Sequence, residues 1–259
     1  MYLSCLLIDV GPDPDRPRPG RLWLRNLYRV HQRLCMAFPS ASRISDDPDF
    51  LKPFKPEDFG RNQVHVARGS DAGFLFRVDP QPGGRVVILV HSAVKPDWGY
   101  AFRNASYLLA AAPEVKLFDP CFTKGEHLRF RLVANPTKRL SSDSHEKDGQ
   151  PVAERWVGKR VPVREEELYE WLAGRGEQGG FSINKDPMTV QQGYIYFKDP
   201  QKKGPKGRLR SVRYDGVLKI TDPARFQETL VKGIGPGKAF GFGLLSVAPS
   251  RASLASEAT

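Results

Sequence analysis

Phe74-Leu75-Phe76-Arg77-Val78, then Asp79-Pro80-Gln81-Pro82-Gly83-Gly84, then Arg85-Val86-Val87-Ile88-Leu89-Val90-His91 is the stretch from which the fold can be read. Two runs rich in aromatic and β-branched residues flank six residues of strong turn chemistry, so the segment reads as a β-hairpin. Working upstream, Tyr2 to Asp9 is a buried strand, and Pro12, Pro14, Pro17 and Pro19 make a loop. A helical pattern then runs from Arg21 and should end by Pro39. Residues 40 to 63, with Pro48, Pro53 and Pro56, read as an irregular surface insertion. Downstream, a short Ala-rich helix over Asn104 to Ala111 and a strand over Val115 to Phe118 complete a β-α-β-β-α-β unit, the ferredoxin-like arrangement.

The same order recurs in the second half. Leu128 to Val133 is its first strand and Val163 to Leu172 its first helix. Phe181 to Asn184, Tyr194 to Phe197 and Leu209 to Ile220 are further strands, a helix starts at the Asp222-Pro223 cap, and Gly243 to Val247 closes the set. The expected fold is therefore α+β, two tandem ferredoxin-like (RRM-like) domains at 1–118 and 119–249, with a small, polar, disordered tail at 250–259. No residue-level self-similarity accompanies the structural repeat.

Charge narrows the partners. A formal net charge of +11 leaves a surface that repels itself unless an anion neutralises part of it, and nucleic acid is the commonest such anion. The basic clusters fall in Pro/Gly-rich or strand-like segments rather than along one amphipathic helix, which ranks a membrane surface well below nucleic acid. No stretch has the apolar length of a transmembrane helix, and Leu3-Ser4-Cys5-Leu6-Leu7-Ile8 lacks the basic lead of a signal peptide. Cys5, Cys35 and Cys121 are odd in number and widely spaced, which argues against disulfides or a zinc site and for a reducing, cytoplasmic setting.

Drawn as one helix, residues 21 to 38 gather Trp23, Leu27, Val30, Leu34 and Phe38 on a core face and Arg21, Arg25, Arg29 and Arg33 on a stripe. Like charges at i, i+4 destabilise a helix by roughly 0.2 to 0.5 kcal/mol per pair, a strain that phosphates along the stripe would relieve. Tyr28 and His31 fall between the two faces, at the expected rim of a phosphate chain. RNA carries its own nucleophile, the 2′-OH, so its cleavage needs only a base or acid near neutral pH and charge stabilisation. His31 suits the first role, Tyr28 and the arginines the second. The bland alternative is a histidine whose ring simply satisfies core hydrogen bonds. The remaining histidines show no metal-ligand spacing and no carboxylate pair suggests a two-metal nuclease, so neither metal nor cofactor is expected.

Three further segments are basic or unusual. Lys198 through Arg213 holds seven cations against Asp199 alone, and Lys202, Lys203, Lys206, Arg208 and Arg210 would sit at or near a hairpin tip able to enter an RNA groove, unless the loop is merely solvated. Alternation places Arg129 and Arg131 on one strand face, followed by Lys138 and Arg139, a face that is an RNA platform or simply exposed. The run Gly233-Ile234-Gly235-Pro236-Gly237-Lys238-Ala239-Phe240-Gly241-Phe242-Gly243 fails both the P-loop and the dinucleotide patterns. Its small residues would let backbone N–H groups approach phosphate, with Lys238 as a point charge; a tight packing turn is the alternative.

Taken together these segments resemble the CRISPR repeat-processing endoribonucleases of the Cas6e (Cse3, CasE) family. The likeness rests on Met1-Tyr2-Leu3-Ser4, on Tyr28-Arg29-Val30-His31-Gln32 with Phe38-Pro39, on Arg129-Phe130-Arg131-Leu132 into Ala134-Asn135-Pro136-Thr137-Lys138, and on Gly233 to Lys238 followed by Gly243-Leu244-Leu245-Ser246. The resemblance implies His31 as general acid or base in attack of a 2′-OH on the adjacent phosphate, with Tyr28 positioning or stabilising. It implies a CRISPR repeat hairpin cut at the 3′ base of its stem, leaving a 2′,3′-cyclic phosphate and a 5′-OH, and membership of the type I-E Cascade complex. Some members carry Lys five residues after the catalytic His where this chain has Met36, so cationic help must come from Arg29, Arg33 or Lys238. A non-catalytic RNA-binding subunit and an unrelated basic RNA scaffold are the rival readings, and His31 separates them.

Overall fold

In the computed structural model, residues 1–13, 15–16, 18–38, 73–142, 153–186, 188–197 and 207–250 are described. The hairpin forms as read, but its strands run further: β2 spans Phe74–Gln81 and β3 Arg85–Ser92. Pro80 is tolerated in β2 because that strand is the sheet edge, where a missing N–H costs no ladder bond. The turn shrinks to Pro82-Gly83-Gly84. Gly84 is obligatory there, having φ +70° and room for no Cβ, which would lie 2.2 Å from the Gly11 carbonyl oxygen. With β1 (Tyr2–Asp9) and β4 (Glu114–Leu117) the order is β2-β3-β1-β4, every neighbour antiparallel, as a ferredoxin-like unit requires. Leu6, Ile8, Phe76, Ile88 and Val90 turn to the same core as Val30 and Leu34 of the helical layer.

In the first half two helical expectations need correction. The continuous helix over residues 21 to 38 is instead α1 (Pro19–Leu24) and α2 (Leu27–Cys35). Asn26 breaks it: with φ −125° and ψ 91° it leaves the helical region, and its Oδ1 accepts the Arg29 N–H at 3.2 Å as the N-cap of α2. The Ala-rich helix at 104 to 111 is displaced to α3 (Trp98–Phe102) and a 3₁₀ turn at Ser106–Leu108. Asp97 caps α3 by accepting the Tyr100 N–H at 2.8 Å, and Trp98, Ala101 and Phe102 are buried. The Ala110 N–H donates to the Leu7 carbonyl at 2.7 Å, so packing and strand pairing override alanine's helix propensity.

In the second half, β5 (His127–Ala134), β10 (Gly207–Ile220) and β11 (Leu245–Pro249) pair with β8 (Phe181–Ile183) in the order β11-β5-β10-β8, and β9 (Thr189–Phe197) extends the same edge of β10. The four-strand order is thus repeated, with the second strand split in two. The final strand starts two residues later than expected. A short ribbon, β6 (Thr137–Arg139) with β7 (Arg160–Pro162), is added to the expected elements; its three-residue strands carry no readable alternation. It delays the first helix, α4, to Leu168–Gln178; the Val163 N–H, expected inside that helix, donates to the Pro136 carbonyl. The helix after Asp222 is α5 (Pro223–Lys232), with the Arg225 N–H donating to Asp222 Oδ1. Leu132, Leu172, Phe181, Tyr214 and Phe226 fill this core.

Chain contacts divide these elements into two compact units. One takes residues 1–121 together with 230–233 and 238–244; the other takes 122–229, 234–237 and 245–259. The Gly-rich run is therefore shared, and its Lys238–Leu244 part belongs with the first unit, not with residues 119–249. The expected insertion at 40 to 63, the tail beyond Ser250, and Lys202, Lys203 and Lys206 lie outside the described residues.

Candidate active site and nucleic-acid interface

Helix α2 buries Val30 and Leu34, and His31 goes inward with them, only 5% exposed. This corrects the expected rim position. His31 follows Leu27 by four residues and precedes Leu34 by three and Cys35 by four, so its Cβ belongs to the buried face. Its ring stacks on Phe74 (centroids 5.4 Å, 30° between planes) and on Phe76 (6.2 Å, 11°). Cys35 Sγ, one helical turn on, lies 3.5 Å from Nε2 and 3.9 Å from Nδ1. The i, i+4 spacing could have revealed this thiol–imidazole contact; the Phe74 and Phe76 contacts need the folded sheet.

Tyr28 is half-buried, 6.1 Å from the His31 ring, and its other neighbour is Phe240 at 6.0 Å. Phe240 sits on a 3₁₀ turn, Lys238–Phe240, so the first unit brings part of the Gly-rich run to the histidine-bearing helix. Gly233, Gly235, Gly237, Gly241 and Gly243 all have φ between 71° and 91°. At Gly241 the backbone lies against Phe76, where an added Cβ would stand 3.3 Å from the ring. The turn is held from below: Arg77, itself paired with Asp79 at 2.8 Å, donates to the Leu244 carbonyl at 3.4 Å. Lys238 Nζ donates to the Lys232 carbonyl at the end of α5.

The expected arginine stripe is dispersed by the break at Asn26. Arg21 donates to the carbonyls of Val10 and Gly11, and Arg25 caps the end of α1. Arg33 donates to the Ala101 carbonyl and to Asn104 Oδ1, and burial pulls its pKa below the ordinary value. Arg29 stays exposed on α2, and among the described residues its guanidinium has no partner. Of the three cations expected to assist, Arg29 is thus the one left to a ligand.

In the second unit Arg129 and Arg131 do share the outward face of β5. Arg129 donates to the Pro249 carbonyl at 3.2 Å, while Arg131 and Arg213 both grip Asp215, at 2.6 and 2.5 Å. Burial alone would raise the Asp215 carboxyl; the bonds from Arg213 and Arg131 outweigh it and hold the group below its usual range. Lys138 pairs with Glu167 at 2.8 Å, and that hydrogen bond lowers the Glu167 carboxyl. Arg139 is exposed. On the long hairpin, Arg208 lies over Tyr194 at 4.8 Å, and Arg210 donates to the Val163 carbonyl and to Gln192 Oε1. The pairing of β9 with β10 persists to Phe197↔Gly207, the last described residues on either side of 198–206. Among the described residues no three His, Cys, Asp or Glu side chains gather as a metal site, and no helix is long and apolar enough to cross a membrane.

Residues 1–249 match the model of a family described as CRISPR associated protein. The chain is 34% identical over 259 residues to the CRISPR-associated endoribonuclease Cse3 of Thermus thermophilus, covering 96% of this chain and 100% of the relative. It is 29% identical over 252 residues to the CRISPR system Cascade subunit CasE of Escherichia coli, with coverage of 96% and 100%. Its fold is similar to that of CRISPR endoribonuclease Cse3 solved bound to a 19-nucleotide RNA, with TM-score 0.65, 30% identity and coverage of 96% and 100%. A match across both units, in a chain whose αβ topology agrees with that of the solved relative, places this protein: it belongs to the CRISPR-associated Cse3/CasE family.

Proposed function

We propose that the chain is an endoribonuclease that binds the CRISPR repeat stem-loop and cleaves pre-crRNA at the 3′ base of the stem. Its N-terminal domain would carry the chemistry and its C-terminal domain the basic hairpin, and the product would enter a Cascade complex. The observation that carries the reading is the cluster of His31, Tyr28 and the Lys238–Phe240 turn in one unit of a chain similar end to end to a named endoribonuclease.

The chemistry needs no cofactor. The 2′-OH attacks the adjacent phosphorus as its proton leaves, the P–O5′ bond breaks, and the departing oxygen takes a proton, giving a 2′,3′-cyclic phosphate and a 5′-OH. His31 serves one of these two proton transfers, a role typically worth about 10²- to 10⁴-fold in rate. Tyr28, nearer the surface, orients the scissile nucleotide, and Arg29 supplies positive charge to the phosphorane-like transition state where Met36 offers none. Packing between Phe74, Phe76 and Cys35 holds the imidazole in one orientation, which favours catalysis by pre-paying its ordering.

A second reading draws on the same burial. A histidine 5% exposed and stacked on two phenylalanines also suits a core residue, and the chain would then be a non-catalytic RNA-binding subunit. Cleavage of the host's repeat RNA in EDTA decides between them. We expect full wild-type activity, loss of about 10²-fold or more with His31→Ala at nearly unchanged RNA affinity, and no cutting of a substrate with 2′-deoxy at the scissile position. Cleavage that stops in EDTA overturns the metal-free mechanism; His31→Ala that cuts normally leaves the histidine structural.

A further inference from the structure

The ribbon β6–β7 and helix α4, all within the second unit, enclose an open groove of about 390 Å³, within the roughly 300–1,000 Å³ of small-ligand sites. Its lining is strongly cationic: Lys138, Arg139, Arg160 and Arg175 against Glu170. Lys138 is neutralised by Glu167, but the arginines are not neutralised by any ion pair among the described residues. Arg139 and Arg160 stand directly opposite each other on the ribbon. Like charges facing across two strands destabilise the pairing, and an anion between them reverses the sign.

The groove is also built. The Trp171 indole N–H donates to the Thr137 carbonyl at 3.2 Å, fixing β6 to α4. One side of the Trp171 ring packs 6.3 Å from Tyr214, nearly parallel at 17°, and Arg175 lies 5.7 Å from its centroid. Arg160 donates to Thr137 Oγ1 at 3.3 Å, which orients its fork. Gly174 lines the groove in mid-helix, where glycine costs about 1 kcal/mol relative to alanine. Packing does not demand it: a Cβ at Gly174 would meet nothing within 4 Å. What the missing side chain leaves is space beside Trp171.

We propose that this groove is a second RNA site, taking a single-stranded ribonucleotide that flanks the repeat hairpin. Arg139 and Arg160 hold its phosphodiester, and its base lies along the Arg175–Trp171 stack over Gly174. Forked guanidinium donors suit phosphate bidentately, and planar arginine and indole surfaces accept any base, the combination by which proteins hold single strands. The identity of the polymer rests on the RNA-processing reading above.

The test is a binding cycle on the full chain. Affinities are measured by fluorescence anisotropy for the repeat hairpin and for the same hairpin carrying roughly eight unpaired nucleotides at both ends, a length within the site sizes of single-strand binders. The quantity read is the ratio of the two, so any general loss of RNA affinity cancels. Extension is expected to tighten wild-type binding about tenfold, in line with one stacked base, and this gain is expected to vanish in Gly174→Leu, which fills the groove without removing charge, and in Arg160→Ala. No gain in the wild type, or a gain surviving in both variants, overturns the proposal. So does loss of affinity for a hexaglutamate peptide in the variants with the RNA gain intact, which would make the groove a protein-docking surface. Because the readout is binding alone, failure of the groove leaves the His31 test standing, and failure of that test leaves the groove.

Discussion

In the first unit the sheet runs β2-β3-β1-β4 and several polar groups are drawn inside: Arg77 with Asp79, His91 on the Leu230 carbonyl, and His31 among phenylalanines. In the second unit the same order, split β8/β9 apart, keeps its ion pairs at the surface, where Arg131, Arg213 and Asp215 remain 26 to 37% exposed and Glu167 and Lys138 37 and 44%. One topology thus carries two electrical designs. Buried polar groups tie the returning residues 230–233 and 238–244 to the first sheet, through the Leu230 and Leu244 carbonyls, whereas the paired cations of the second unit lie at the surface. Removing charge should therefore cost folding in the first unit and binding in the second.

The largest effect is expected at Arg77. Its side chain is 5% and that of Asp79 13% exposed, so Arg77→Ala takes the paired guanidinium from a largely buried carboxylate and should destabilise by about 3–5 kcal/mol in denaturant unfolding. Replacing both residues with apolar ones, Arg77→Met with Asp79→Leu, should recover most of that loss. If Arg77→Ala costs less than about 1 kcal/mol, in the range of a surface pair, the contrast between the units fails.

His91 comes next. Burial lowers its pKa from 6.5, an effect that the bond to the Leu230 carbonyl only partly opposes, and Nε2 is buried without a partner among the described residues. On acidification the unfolded chain takes up the proton more readily than the folded one, so stability is full above the ordinary value and is lost as pH falls below it. The dependence of unfolding free energy on pH, measured from roughly pH 7.5 to 5, should be flatter in His91→Leu than in the wild type. An unchanged slope would place the acid sensitivity elsewhere.

The smallest stability change is expected at Asp215. Its lowered pKa means that its contribution is present at neutral pH and lost as pH falls through the folded value, but the three partners are partly exposed. Asp215→Asn should therefore cost under about 1 kcal/mol. RNA binding should move the other way, several-fold tighter at low salt with a steeper salt dependence, as one negative charge is removed from beside Arg131 and Arg213. Weaker RNA binding by this variant would mean that the triad orders the surface rather than restraining its charge.

Alternation, turn chemistry and caps are local, and they were legible: β1 runs from Tyr2 to Asp9 as expected, the 74–91 hairpin formed, and Asp222 caps α5. Misjudged were the elements in which one residue decides. Asn26 sits at a position the 100° wheel treats as any other, yet its amide ends one helix by capping the next, and the arginine stripe disappears with it. The alanines at 110–112 favour helix in isolation, but the Leu7 carbonyl claims the Ala110 N–H.

The sequence by itself determined the strand order of both units, through the pattern of runs and turns, the basic character of the chain, and the pairing of Tyr28 with His31 on one helix. Only the tertiary structure decided that His31 lies inside against Phe74 and Phe76, that Phe240 meets Tyr28, and that Arg139 faces Arg160 beside Trp171. The physical reason is range. Periodicity and capping act within a few residues, whereas these contacts join segments about 40 to 210 positions apart in the first unit and about 20 to 35 in the second, and only packing chooses among the partners that many apolar and basic side chains could serve.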